Sequence, residues 1–151
     1  MANFDIYNEV GVKVAENQPS PIKVEGLKPN TTYTGWKIAY AGSDAKTDVP
    51  VFKTAPRLLS SFRINNTDIS GNTGESVTVK ASYFKPADTT DKSLTATVED
   101  DTVATITDNK DNTYTVNFLK AGTTKVHWIA NDGGGAKVDV NVTVAEEEPT
   151  E

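Results

Sequence analysis

The chain of 151 residues contains no cysteine. That excludes a disulfide framework, a thiolate metal site and a cysteine nucleophile. Histidine occurs once, at His127. A lone imidazole acts as a base only beside a positioned partner, so neither a Ser-His-Asp triad nor a zinc set can be assembled from it. No stretch approaches the roughly 20 apolar residues of a membrane-spanning helix. The first residues, MANFDIYNEV, hold neither a basic segment nor an apolar one, so the expectation is a soluble chain without a secretory signal. Basic residues are outnumbered 15 to 21, for a net charge of −6. Nucleic acid, which wants clustered Lys and Arg, is therefore not an expected partner. Residues 1–56 hold six Lys and six acidic residues, so the remainder carries the whole −6, four of its acids lying in the closing AEEEPTE. Apolar residues make up 36%, which points to thin cores.

Helical patterning is nearly absent; period-two alternation and turn residues take its place. In the first 56 residues the apolar positions Phe4/Ile6, Val10/Val12/Val14, Ile22/Val24, Trp36/Ile38/Tyr40 and Val49/Val51 predict about five short strands, separated by NQPSP, KPN and GSDAK turns. KTAPRLLSS reads as a linker. The pattern restarts at Phe62/Ile64. After a turn-rich NNTDISGNTGES come Val77/Val79/Ala81/Tyr83, Leu94/Ala96/Val98, Val103–Ile106, Tyr114/Val116/Phe118, Val126/Trp128/Ala130 and Val138/Val140/Val142/Val144. Seven strands so spaced predict an antiparallel sandwich, and half-buried alternation argues against parallel pairing.

Two stretches, GESVTVKASYFKPADTTDKSLTATVEDDTVATI and YTVNFLKAGTTKVHWIANDGGGAKVDVNVTV, resemble the bacterial immunoglobulin-like group 2 domain of intimin- and invasin-type surface proteins and tailed-phage virion proteins. The Val-Ala-Thr-Ile strand, the Ala-Gly-Thr turn and the final Val-x-Val-x-Val carry the likeness; near Ser93 the family's usual Trp gives way to Leu94. VEGLKPNTTYTGWKIAYAG and VPVFKTAP resemble the later strands of a fibronectin type III domain. That resemblance implies that Leu27 plugs the core, Pro29 sets a turn and Tyr33 caps a corner, and that the first strands of a full module are missing. The implied organisation is all-β: a shortened fibronectin-like antiparallel sheet at 1–56, an immunoglobulin-like sandwich at 57–145 and an acidic disordered tail at 146–151.

Candidate chemistry is sparse. His127 alternates with Val126 and Trp128 and should point outward. The acidic turns at Glu99–Asp101 and at Asp108 and Asp111 offer oxygen ligands of the kind calcium takes, but Asp and Asn are also ordinary turn residues, and the spacing departs from an EF-hand. DGGGAK, flanked by strands, lacks the helix and Gly-Lys-Ser/Thr of a phosphate loop and predicts a flexible hairpin. Asn30, Asn65 and Asn141 begin glycosylation sequons read as compositional. Trp36 and Trp128 are in phase with apolar neighbours and predict core packing. Acidic residues are numerous enough for a two-carboxylate glycosidase, but a thin sandwich offers little cleft. No catalytic, cofactor or metal residue is assigned.

The resemblances imply a non-enzymatic structural or interaction protein of a tailed-phage virion. Its first part would attach to other virion proteins, or pair with itself as a homo-oligomer, and its second would be displayed, touching host cell-wall carbohydrate weakly. The alternative is an adhesion or polysaccharide-binding module of a bacterial cell-surface protein.

Overall fold

The computed structural model describes residues 1–149. Among them every regular element is a strand; no helix is long and apolar enough to cross a membrane. The chain divides into two compact units, Met1–Pro56 and Arg57–Glu151.

The first unit holds β1 (Asn3–Tyr7), β2 (Lys13–Pro19), β3 (Thr32–Tyr33), β4 (Lys37–Tyr40), β5 (Lys46–Asp48) and β6 (Phe52–Lys53). A four-stranded sheet runs in the order β2-β1-β4-β5, and β3 pairs with β6. All these pairs are antiparallel. The predicted strand at Ile22/Val24 does not form; residues 20–31 have no regular ladder, and both side chains are half-buried in a connection. Val10 and Val12 lie in the β1–β2 turn rather than in a strand, and with Val14 they are exposed. The reason is that β2 is an edge strand, and its register against β1 shifts twice, around Ile6. Such bulges break the link between alternation and burial. Trp36 is buried and Tyr40 exposed although their spacing is even, because Trp36 precedes β4 at the Gly35 turn (φ +70°). Its ring closes an aromatic cluster, 5.5 Å from Tyr33 and 5.6 Å from Phe52 between centroids.

The second unit holds β7 (Ser61–Ile64), β8 (Asp68–Asn72), β9 (Ser76–Lys85), β10 (Leu94–Val98), β11 (Ala104–Asp108), β12 (Thr113–Phe118), β13 (Gly122–Ala130) and β14 (Lys137–Ala145). They form two four-stranded sheets, β10-β13-β14-β8 and β11-β12-β9-β7. The inward positions predicted from alternation on β12, β13 and β14 fill one core: Tyr114, Val116, Phe118, Val126, Trp128, Val140, Val142 and Val144. With no disulfide to pack on, Trp128 meets the Tyr114 ring edge-on, at 5.9 Å and 80°.

Two features, β8 and Tyr83, differ from expectation. NNTDISGNTGES contains a strand, β8, and its pairing with β14 is parallel. The chain crosses from one sheet to the other between β7 and β8, so the second half of this first run must lie alongside the last strand. β8 offers one buried branched side chain, Ile69, too few for a period-two signal. Tyr83 does not continue the inward row Val79/Ala81. A register shift against β7 and a positive φ of 52° turn it outward, and Phe84 packs inward instead. The acidic tail leaves β14 at Ala145; residues 146–149 are exposed and without regular structure, and Thr150 and Glu151 lie outside the described residues.

Candidate functional site

Strand register decides what the polar residues can do. On β13, His127 stands opposite Thr97 of β10 and Asp139 of β14. Its neighbours Val126 and Trp128 point into the core, so its ring lies on the outer face, as alternation predicts. It is not a free surface group. Nδ1 lies 2.7 Å from Asp139 Oδ1, and Nε2 lies 3.0 Å from Glu99 Oε1, just beyond β10. The Asp139 hydrogen bond above all raises the imidazole pKa; burial opposes it, and the Glu99 bond adds a lesser upward push. The same bond holds the Asp139 carboxyl below its ordinary range. The sequence alone could not show this grouping, because its three members lie on or just past three different strands and meet only through register.

The acidic turns are closed on themselves. Asp100 accepts hydrogen bonds from the Thr102 hydroxyl (2.6 Å) and N–H (3.0 Å). Asp111 accepts the Thr113 N–H at 3.0 Å and its hydroxyl. Asp108 takes the Lys110 N–H at 2.8 Å and pairs with its ammonium at 2.9 Å. Those bonds lower the pKa of all three carboxyls, the side-chain partner contributing most in each. No group of three or more His, Asp or Glu side chains is placed to hold a metal ion among the described residues.

The glycine hairpin is anchored at two points. Asp132 accepts the N–H of Gly134 at 2.8 Å and that of Leu59 through its other oxygen. A Cβ on Gly134 would stand 2.5 Å from the Leu59 carbonyl oxygen. Glycine is there because another backbone passes close by. Both Trp side chains are buried, Trp36 donating its Nε1–H to Glu9 at 3.0 Å. All three sequon asparagines, Asn30, Asn65 and Asn141, are exposed, and Asn65 accepts the Lys80 N–H at 2.7 Å.

A groove runs between β10 and the β11–β12 hairpin, floored by Tyr114 and edged by Ser93, Thr95, Asp108 and Asn131. Asn131 accepts the Thr95 hydroxyl at 2.7 Å and donates to Ser93 at 3.1 Å. The one carboxylate among its lining residues, Asp108, is paired with Lys110.

In the first unit Asp5, between Phe4 and Ile6 on β1, is only 1% exposed. It accepts the Asn17 N–H at 2.8 Å and pairs with Lys13 at 3.0 Å, and the Asn17 bond above all lowers its pKa. Both faces of β1 are covered, so alternation carries no information there. Tyr33 does cap a corner: its hydroxyl accepts the Lys28 N–H at 2.8 Å. Leu27, expected to plug the core, is half-buried. On the sheet, Phe4 stacks on Tyr40 at 5.2 Å beside Ile38 and Ala45, leaving Tyr40 63% exposed.

Two facing four-stranded sheets around one apolar core make the second unit an immunoglobulin-like β-sandwich. A family model, the bacterial Ig-like domain (group 2), matches residues 59–142, more than half of the chain, and the protein belongs to that family. No curated protein matches its sequence. Among solved structures, domains 4 and 5 of the S-layer protein SbsC are similar at 20% identity and a TM-score of 0.53, over 95% of this chain and 70% of that one. SbsC domains 1–6 are similar at 19% identity and a TM-score of 0.56, over 98% of this chain but 20% of that one. At such identity the likeness is one of fold.

Proposed function

We propose that the chain is a non-enzymatic structural and interaction module of a tailed-phage virion. Residues 1–56, a shortened fibronectin type III-like unit, attach it to other virion proteins, and the Ig-like domain is presented outward, where it touches host cell-wall carbohydrate weakly. The observation that carries this reading is where apolar surface remains. Of the ten large apolar side chains exposed among the described residues, six (Met1, Val10, Val12, Val14, Tyr40 and Val51) lie in the smaller first unit. Apolar surface left out on a small unit marks a place for a partner. The ionisable groups support a non-catalytic role, because the clustered ones are engaged by their neighbours. The fibronectin-like assignment rests on the Gly26–Tyr33 corner and its Tyr33–Lys28 bond.

A second reading, an adhesion or polysaccharide-binding module of a bacterial surface protein, draws on the fold shared with the S-layer domains. Immunogold labelling with antiserum against the chain separates the two. Gold on tailed particles from a lysate is the expected result. Gold confined to cell envelopes overturns the virion reading in favour of the second, and hydrolysis of a polysaccharide by the purified chain overturns both.

A further inference from the structure

We propose that Glu99, His127 and Asp139 form a protonation-dependent clamp that ties β10, β13 and β14 together across the outer face of the sandwich and loosens as the medium becomes alkaline. The geometry carries this. The two ring nitrogens face carboxylate oxygens of different segments, Asp139 on β14 and Glu99 just past β10, at 2.7 and 3.0 Å. An ionised carboxylate only accepts hydrogen bonds, so both nitrogens must donate, and only the imidazolium has two N–H groups. A neutral ring would turn one lone pair toward a carboxylate oxygen and lose that contact.

The surrounding charges fit. Lys125 on β13 and Lys137 on β14 act on Asp139, offsetting the second carboxylate. From β10 the facing residue is the neutral Thr97. From β8, Asp68 stands opposite Asn141, one outward position beyond Asp139 on β14. The His127 side chain is 28% exposed, so its bonds are partly sheltered from water. The clamp matters most for β10, an edge strand of the sheet with β13 as its one ladder neighbour.

The sign follows from the two shifts. His127 is raised, so its contribution is complete below the ordinary histidine value and is lost as pH rises through the folded value. Asp139 is lowered, so its contribution is present above the ordinary carboxylate value and is lost only as pH falls through the lowered one. Together they give a clamp closed in mild acid and open in alkali.

Because His127 is the chain's only histidine, its Cε1–H resonance in the full-length protein is unambiguous. An NMR titration should give a midpoint above the unperturbed value of about 6.5. Asp139→Asn should lower it more than Glu99→Gln does. A wild-type midpoint at or below the ordinary value, or one that Asp139→Asn leaves unmoved, overturns the proposal. His127→Gln gives an independent reading. Opening of the wild-type β10 amides, corrected for intrinsic exchange, should rise across the titration by about tenfold for each unit by which the midpoint is raised. In His127→Gln that rise should vanish; matching pH profiles for the two proteins refute the clamp.

Discussion

Gly71→Ala is a sharp test of the sandwich packing, because two effects of opposite sign compete at that residue. Gly71 lies on β8, opposite Val144 in the parallel ladder. Replacing a strand glycine by alanine restricts the unfolded chain and, where space allows, stabilises by about 0.4–1 kcal/mol. Space does not allow it here. A Cβ would stand 2.8 Å from Phe118 Cδ2, nearer still to Cε2, and 3.1 Å from Glu75 Oε2. Phe118 is 2% exposed in the core and has nowhere to go. Overpacking of this kind costs about 1–3 kcal/mol, so the net expectation is a loss of about 1–2 kcal/mol. For a unit of this size, that lowers Tm by about 4–16 °C. Calorimetry on the whole chain reads the transition of the second unit directly. Phe118→Leu in the same chain should return part of the loss, since the two positions share one space. An unchanged or raised Tm for Gly71→Ala would refute the packing argument.

Other expectations follow from the first unit. Tyr33→Phe keeps the aromatic cluster with Trp36 and Phe52 but removes the acceptor of the Lys28 N–H, which should cost about 1 kcal/mol. Amide exchange at Lys28 should then lose its protection, and unchanged protection would show that the hydroxyl does not hold the corner. Asp5 has a lowered pKa, so its contribution is present above the ordinary carboxylate range and disappears as pH falls through the folded value. Acid unfolding of the first unit, followed by the Trp36 indole N–H signal, should therefore depend less on pH in Asp5→Asn than in wild type. Parallel curves would remove Asp5 from the account.

The second unit was largely legible because each inner face is buried and each outer face wet. On β12, β13 and β14, period two therefore translates directly into inside and outside. Legibility failed where the ladder departs from ideal register. Tyr83 looked like a continuation of Val79 and Ala81 until the bulge turned it out, and β8 carries one buried branched residue among polar ones and a glycine. In the first unit an edge strand with two register shifts left Val10, Val12 and Val14 exposed, and Asp5 was buried by contacts across β1 and β2. The His127 grouping required knowing which strands are neighbours. Its members are separated by 28 and 12 positions along the chain, and nothing local marks them. The glycine hairpin read as mobile because its anchor, the Leu59 backbone, is 73 residues away from Asp132.

The division of labour between the two units is tested most directly by particle retention of full-length variants. Phe4→Ser combined with Tyr40→Ser removes the stacked pair whose Tyr40 is 63% exposed on the first unit, whereas Tyr83→Ser removes an exposed aromatic of the Ig-like domain. Each protein is supplied during particle assembly, and co-sedimentation with particles in a density gradient is measured. The account predicts that the first variant stays at the top of the gradient while Tyr83→Ser travels with the particles. Retention of the Phe4/Tyr40 variant at the wild-type level would contradict it.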